Sequence, residues 1–235
     1  MTALPEGVAG ADWQRIEREL NETGHSVIRR ALDVSKCEQL RGVYDQSGLF
    51  RSRIVMARYG FGQGEYQYFD YPLPALILYT REALYQRLAP VANAWGVALG
   101  RASAYPATLG EFLEDCHRQG QTRPTPLLLN YGTGDYNRLH QDLYGGVQFP
   151  LQATVLLSAA GDFDGGEFVL TETAPRKQTR AEVVKLAQGD MVIFAVNHRP
   201  VRSTKGFARV TMRHGVSTVR RGARMTLGLI FHDAA

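Results

Sequence analysis

Seven stretches decide the fold: LLLNYG at 127–132, LQATVLLSA at 151–159, GEFVLTE at 166–172, VVKLA at 183–187, DMVIFAV at 190–196, RVTMRHGV at 209–216 and RMTLGLIF at 224–231. Each is rich in apolar residues and bounded by glycine or polar turns. Runs of this kind read as short strands, and no helical periodicity between them offers a parallel crossover. This half of the chain is therefore expected to be a β-sandwich or barrel.

The residues before 127 read differently. Trp13, Ile16 and Leu20 share one helical face that Gly24 closes, and His25 to Arg29 is a short strand. Ser35 and Glu38 form an S-x-x-E capping box ahead of a second helix striped by Leu40, Val43 and Tyr44. Residues 74–99 are helical with a break at Pro90, and Thr108 to Arg118 is another short helix. In 51–71, RSRIVMARYGFGQGEYQYFDY, three arginines and six aromatics surround Gly60, Gly62 and Gly64. The glycines lack dinucleotide-fingerprint context, so a hairpin with a glycine turn is expected, standing as a lid. With no repeat, low-complexity tract or linker, the chain reads as one unit of α+β, mainly β class. Residues 1–126 are its helical support and lid, and 127–235 its β core.

Composition narrows the function classes. With 235 residues, 44% hydrophobic and 21% charged, the chain can bury a core and is not disordered. Its apolar runs are too short to span a bilayer, and MTALPEGVAGADW shows no secretory leader. The two cysteines, Cys37 and Cys116, have no metal-type spacing, so a reducing, cytoplasmic setting is expected. Net charge is +4, but residues 176–224 hold twelve Lys/Arg against two acids, leaving the remainder at −6. A basic segment of that kind favours a polyanionic partner, nucleic acid first.

His140-Gln141-Asp142 is an H-x-D whose first and third side chains share a face if the segment is a strand, and His214 lies on a later strand. Two histidines and one carboxylate are the facial triad that leaves coordination positions open on non-heme Fe(II). Arg224 and Thr226 follow on one face of the last strand, where a guanidinium can take a carboxylate in a bidentate pair and a hydroxyl can add a bond. Gly165-Gly166-Glu167 and Gly189-Asp190 read as turns opening strands.

In this order and spacing the chain resembles the 2-oxoglutarate/Fe(II) dioxygenases, whose core is a double-stranded β-helix, or jelly roll. That resemblance implies His140, Asp142 and His214 as iron ligands. It implies Arg224, with Thr226, as the partner of 2-oxoglutarate, and dioxygen as the second cosubstrate. The HGV…G-x-R-x-T tail is similar to prolyl 4-hydroxylase-type members. Tyr131-Gly132-Thr133-Gly134 followed by LHQD is similar to AlkB-type nucleic-acid demethylases, which implies a cosubstrate role for Tyr131. AlkB-type enzymes place the cosubstrate arginine further beyond the second histidine, so the chain departs from that branch. Nearly the whole chain resembles a bacterial group of oxygenases acting on damaged, methylated nucleic acid. The segments that carry this are 50–74, 121–137 with LHQDLYG, FPLQATVLLS, GGEFVLTE and HGVS…LGLIFHDA.

The implied reaction hydroxylates an N-methyl group of an alkylated DNA base, which then leaves as formaldehyde while 2-oxoglutarate becomes succinate. A base must leave its duplex or arrive single-stranded to reach such a site. Arg51, Arg53, Arg58, Tyr66 and Tyr68 are candidate lid contacts to nucleic acid, and 199–221 a candidate phosphate track. Asp135, Asn137 and Tyr144 flank the metal strand, and His198 is a candidate substrate contact. Two other readings compete: a protein or amino-acid (prolyl-type) hydroxylase with the same iron site, and a non-catalytic cupin-like or nucleic-acid-binding module.

Overall fold

The computed structural model describes residues 5–101 and 104–235. The reading of the N-terminus as lacking a leader falls partly on residues 1–4, outside the described residues. The elements in chain order are α1 (Glu6–Ala9), α2 (Trp13–Thr23), β1 (His25–Ile28), α3 (Val34–Gly42), β2 (Phe50–Val55), β3 (Gly62–Gln63), β4 (Glu65–Phe69), α4 (Ala75–Ala98) and α5 (Leu109–Arg118). Then follow β5 (Leu127–Tyr131), β6 (Tyr136–His140), β7 (Leu151–Leu156), β8 (Phe163–Gly165), β9 (Phe168–Thr173), β10 (Arg180–Val184), β11 (Met191–Ala195), β12 (His198–Ser203), β13 (Gly206–Val216), β14 (Val219–Gly222) and β15 (Arg224–Leu229).

Two antiparallel sheets face each other, as a jelly roll requires. The larger runs β1-β11-β7-β15-β5-β4-β2, and the smaller runs β10-β9-β13-β6-β3 with β12 paired to the long β13. Strands from both sides of residue 126 share each sheet: β1, β2 and β4 lie in the larger one and β3 in the smaller. The 51–71 hairpin forms, but it is not a free lid. β4 pairs in register with β5, Tyr66 opposite Leu129 and Tyr68 opposite Leu127. Its backbone donors and acceptors are thus consumed by the sheet, and the turn at 57–61, between buried Met56 and β3, is what projects.

Period-2 alternation gives the larger sheet two buried faces. Leu128, Ala153, Val155, Leu227 and Leu229 turn outward onto Ile77, Leu84 and Leu88 of α4 and Phe112 of α5. Leu129, Gln152, Thr154 and Thr226 turn inward toward the smaller sheet. Between the sheets two apolar clusters, one around Tyr66, Tyr68, Leu127 and Tyr131 and one around Phe168, Leu170 and Phe194, flank a cavity. No helix among the described residues is long and apolar enough to cross a membrane.

Two local expectations need correcting. α3 is capped by Asp33, whose carboxylate accepts from the Lys36 N–H at 2.8 Å, and not by Ser35, whose hydroxyl donates to that same carboxylate. The reciprocal capping box occurs instead at Thr108 and Glu111, at the start of α5. Pro90 does not break α4, which runs unbroken from Ala75 to Ala98. The carbonyl that Pro90 deprives of a donor belongs to Gln86. Both residues are exposed, so water can serve that carbonyl, while Leu84, Leu88, Val91 and Trp95 hold the opposite face in the core.

Candidate functional site

The cavity between the sheets has a volume of about 160 Å³ and is walled by both. From the smaller sheet come His140, the last residue of β6, and His214 of β13, which face each other across the ladder in register. Their ring centroids are 4.2 Å apart. Asp142 lies just past the end of β6 rather than within it. Its carboxylate nevertheless turns to the same point, Oδ1 3.5 Å from His140 Nε2 and Oδ2 3.3 Å from His214 Nε2. The three donor atoms lie within 4.8 Å of one another, a group that could hold a metal ion.

Two of the three ligands, His140 and Asp142, are oriented by hydrogen-bonding neighbours. His140 Nδ1–H donates to the Arg138 carbonyl at 2.7 Å, which leaves the Nε2 lone pair for the cavity. Asp142 accepts from the Tyr144 hydroxyl at 2.7 Å on Oδ1 and from the Gln152 amide at 2.8 Å on Oδ2. Gln141, between the two ligands, points the other way and donates to Asn197 Oδ1 and the Met212 carbonyl, both at 2.8 Å. That pins the turn carrying Asp142. Burial alone would raise the Asp142 pKa, but the two imidazoles hold the carboxyl well below its usual range. Burial and the neighbouring His140 lower the pKa of His214. Both groups are therefore in metal-binding form at neutral pH.

The larger sheet supplies the other end. Arg224 of β15 pairs in register with Tyr131 of β5, and Thr226 with Leu129, so these side chains enter the cavity together. Arg224 is 2% exposed and forms no ion pair among the described residues; burial lowers its pKa to about 10, against a smaller opposing pull from Tyr131 and Glu167. Its guanidinium carbon is 5.7 Å from the Tyr131 ring centre. The room for it comes from the double glycine. Gly166 has φ +62°, and a Cβ there would lie 2.7 Å from Arg224 Cδ.

Four buried side-chain polar atoms lack partners among the described residues: Gln152 Oε1, His214 Nδ1, one Arg224 terminal nitrogen and His232 Nε2. Three belong to residues lining this cavity. Buried polar groups are normally satisfied, so the concentration here is that of a site that waits for a charged ligand. A facial donor set at one end and an unpaired buried cation at the other fit a metal plus a small dianion.

The cavity thus brings together His140, Asp142, His214, Arg224, Thr226, Tyr131, Asn137, Tyr144 and Tyr66. Other candidates fall elsewhere. Asp135 caps its own turn, accepting from the Gly132 N–H at 2.7 Å. Tyr68 is buried behind Tyr66 and Tyr144. Arg51 lies over the Tyr68 ring at 4.4 Å and donates to the Pro124 carbonyl, and Arg53 pairs with Glu65. Arg58 is exposed and forms no ion pair among the described residues. His198 sits on β12, its ring nitrogen 3.4 Å from the Thr211 hydroxyl and away from the cavity. The 199–221 track is thinner than its composition: Arg199 is 3% exposed and paired with Glu172, and Arg220 is held by Asp164.

The free cations of the track gather on one surface. Residues paired in register share a face. Arg202 pairs with Phe207, and Arg209 and Arg213 follow at alternate positions on β13. A register shift in β6 lets both His140, opposite His214, and Asn137, opposite Val216, face the cavity, so Tyr136 and Arg138 on either side of Asn137 turn to the same outer face. These four arginines are exposed and form no ion pair among the described residues, and no Asp or Glu shares that face of the strands.

Sequence reasoning missed Gln152 and Thr154. The signal was present: in LQATVL they are the polar alternates of an otherwise apolar strand, the pattern of a sheet face turned toward a site.

Residues 64–234 match the model of a family described as oxygenases catalysing oxidative methylation of damaged DNA. Two uncharacterised proteins from strains of Mycobacterium tuberculosis are each 48% identical over 168 residues, 71% of this chain and 72% of theirs. Among solved structures, a Pseudomonas putida prolyl-4-hydroxylase superposes with TM-score 0.55 at 16% identity, covering 92% of this chain and 96% of that one. A Burkholderia pseudomallei oxidoreductase of the 2OG-Fe(II) oxygenase family gives 0.55 at 16%, covering 96% and 94%. A prolyl hydroxylase of Trichoplax adhaerens gives 0.58 at 15%, covering 95% and 89%.

Proposed function

Since the chain belongs to a family of oxygenases described as acting on damaged DNA, we propose that it is a 2-oxoglutarate/Fe(II) enzyme that demethylates alkylated bases of DNA oxidatively, releasing formaldehyde, succinate and CO2. The observation that carries the substrate class is the outer face of the smaller sheet. Arg138, Arg202, Arg209 and Arg213 stand there with no ion pair among the described residues and no acid on that face of the strands. A neutral peptide or amino acid has no use for that face, whereas a phosphate backbone does.

His140 Nε2, Asp142 and His214 Nε2 would hold iron. Bound there, iron would supply redox chemistry in which dioxygen is the oxidant and 2-oxoglutarate the two-electron reductant, leaving as succinate and CO2; one oxygen atom of dioxygen would end on succinate and the other on the N-methyl carbon, whose hemiaminal loses formaldehyde and leaves the proton on the base nitrogen. The chain's own work is placement. The Arg138 carbonyl fixes the His140 tautomer, and Tyr144 and Gln152 fix the carboxylate. Arg224 takes the distal carboxylate of 2-oxoglutarate, with Thr226 adding a hydroxyl. Tyr131, fully buried with its pKa raised to about 12 by that burial, stays a neutral donor beside the anion. Leu127, Leu129, Phe168 and Val216 keep the cavity wall apolar and exclude bulk water.

The test is reconstitution with Fe(II), 2-oxoglutarate and dioxygen on an N-methylated single-stranded oligonucleotide. Methyl loss with succinate in the wild type, absent in His140→Ala, is the expected result. Succinate formed without methyl loss would overturn the substrate and turn attention to prolyl-type hydroxylation, which the same iron site also serves.

A further inference from the structure

The turn between β2 and β4 holds two of the largest exposed apolar side chains in the protein. Tyr59 is 59% and Phe61 47% exposed. They are not scattered: their rings stack on each other, centroids 5.5 Å apart and planes 19° from parallel. Phe61 also lines the cavity, together with Tyr66, Asn137 and His140. Its carbonyl accepts from the Arg138 N–H at 2.9 Å, which ties the pair to the strand that ends in the first metal-binding histidine. Two exposed cations flank it, Arg58 in the same turn and Arg138 beside Phe61. Neither has a carboxylate partner among the described residues.

Packing does not explain this arrangement. The aromatics of the same segment that serve the core, Tyr66, Tyr68 and Phe69, are buried in β4. A stacked, wet pair at a cavity mouth leaves an aromatic face free, and its neighbours are positive. Planar aromatic ligands joined by anionic links match both features.

We infer that Tyr59 and Phe61 form a base-stacking platform at the entrance. The base next to the one in the cavity stacks on the exposed face of the pair, and Arg58 and Arg138 meet the phosphates on either side of the target nucleotide. This rests on the nucleic-acid reading above and sharpens it. The platform replaces the stacking that a base loses when its neighbour is drawn into the cavity. The preferred substrate is therefore an unpaired strand or a locally opened duplex. From Arg138 the strand's path continues onto the face that carries Arg213, Arg209 and Arg202.

The experiment measures formaldehyde release from a methylated single-stranded oligonucleotide by the iron-loaded enzyme, for wild type, Tyr59→Ala, Phe61→Ala and Tyr59→Phe. Stacking on one aromatic is worth about 1–3 kcal/mol per base, so each alanine variant should raise KM by roughly 5- to 150-fold. Tyr59→Phe should behave as wild type. The thermal shift induced by 2-oxoglutarate should be unchanged in Tyr59→Ala, showing a folded, loaded site. An oligonucleotide with an abasic residue beside the target should bring the wild type to the KM of Tyr59→Ala and leave that variant unmoved. Wild-type turnover with equal KM in the alanine variants would overturn the platform while leaving the demethylase standing. Failure of the wild type to bind or demethylate any oligonucleotide would overturn both.

Discussion

Arg224→Met should make the ligand-free protein more stable and the cosubstrate-loaded protein less so. In the folded chain the guanidinium is 2% exposed, forms no ion pair among the described residues, and is brought by burial from the ordinary 12.5 to a pKa of about 10. At 1.36 kcal/mol per pKa unit, holding that charge at pH 7 costs the fold about 3 kcal/mol. The sign follows from the unfolded chain binding the proton more tightly. The cost is present in full below pH 10 and fades as pH climbs toward 12.5. Methionine keeps an unbranched stem beneath Gly166 and removes the charge, while losing a contact with the Tyr131 ring worth roughly 0.5–2 kcal/mol. The net gain is about 1–2 kcal/mol, or roughly 2–8 °C in Tm for a chain of this size.

The assay is urea unfolding at pH 7 with Mn(II) in place of iron, with and without 2-oxoglutarate. At one hundred times Kd the ligand should stabilise the wild type by about 2.7 kcal/mol and leave Arg224→Met almost unmoved. The order of stability of the two proteins should therefore invert when ligand is added. A ligand-free Arg224→Met less stable than wild type by more than about 1 kcal/mol would refute the reasoning. It would mean that the charge is compensated inside the cavity and that Arg224 is a structural residue. Equal stabilisation of both proteins by 2-oxoglutarate would remove its proposed role.

Three further outcomes are expected. Gln152→Leu deletes the amide that holds Asp142 Oδ2, and metal affinity should fall by about 10- to 100-fold in a competition titration with a chelating dye, the fold being retained. Gly166→Ala puts a methyl group 2.7 Å from Arg224 Cδ at φ +62°; 2-oxoglutarate should bind at least about tenfold more weakly by calorimetry, while metal affinity stays at the wild-type value. His232 is 1% exposed, and burial lowers its pKa to about 4. Its native form binds fewer protons than the unfolded chain does, so stability is full above the unfolded value near 6.5 and drains as pH falls toward 4. The loss is about 3 kcal/mol across that window. Urea midpoints at pH 7.5 and 4.5 measure it, and His232→Asn, which can still accept from the Phe149 N–H, should flatten the slope.

Which of these features a reader of the sequence can reach depends on how far each one's cause extends along the chain. His140, Asp142, His214, Arg224 and Thr226 are legible because the alternation of single strands puts them on inner faces. Asp142 shows the margin of that argument: it lies beyond its strand and reaches the site because Gln141 anchors the turn to Asn197 and Met212. The role of Gly166 was readable as a turn but not as the space beneath Arg224, since that contact joins residues 58 positions apart.

The aromatic segment shows the opposite limit. Its composition marks 51–71 as unusual, yet Tyr66 and Tyr68 look as available as Tyr59 and Phe61. Sorting them needs the knowledge that β4 adds to β5, which draws Tyr66 and Tyr68 inward and leaves the turn outside. Charge behaves in the same way. Arg199 and Arg220 are indistinguishable in sequence from Arg209 and Arg213. Glu172 and Asp164, the acids that neutralise the first two, arrive from strands 27 and 56 residues away. A basic run therefore names a class of partner, and only the register of β12, β13 and β6 says which cations remain to meet it. The same register sets Arg138 both on that face and, through its carbonyl, behind His140. Substrate contact and metal-ligand orientation converge on one residue, so exchanging Arg138 for another side chain alters the first and leaves the second, which belongs to the backbone, in place.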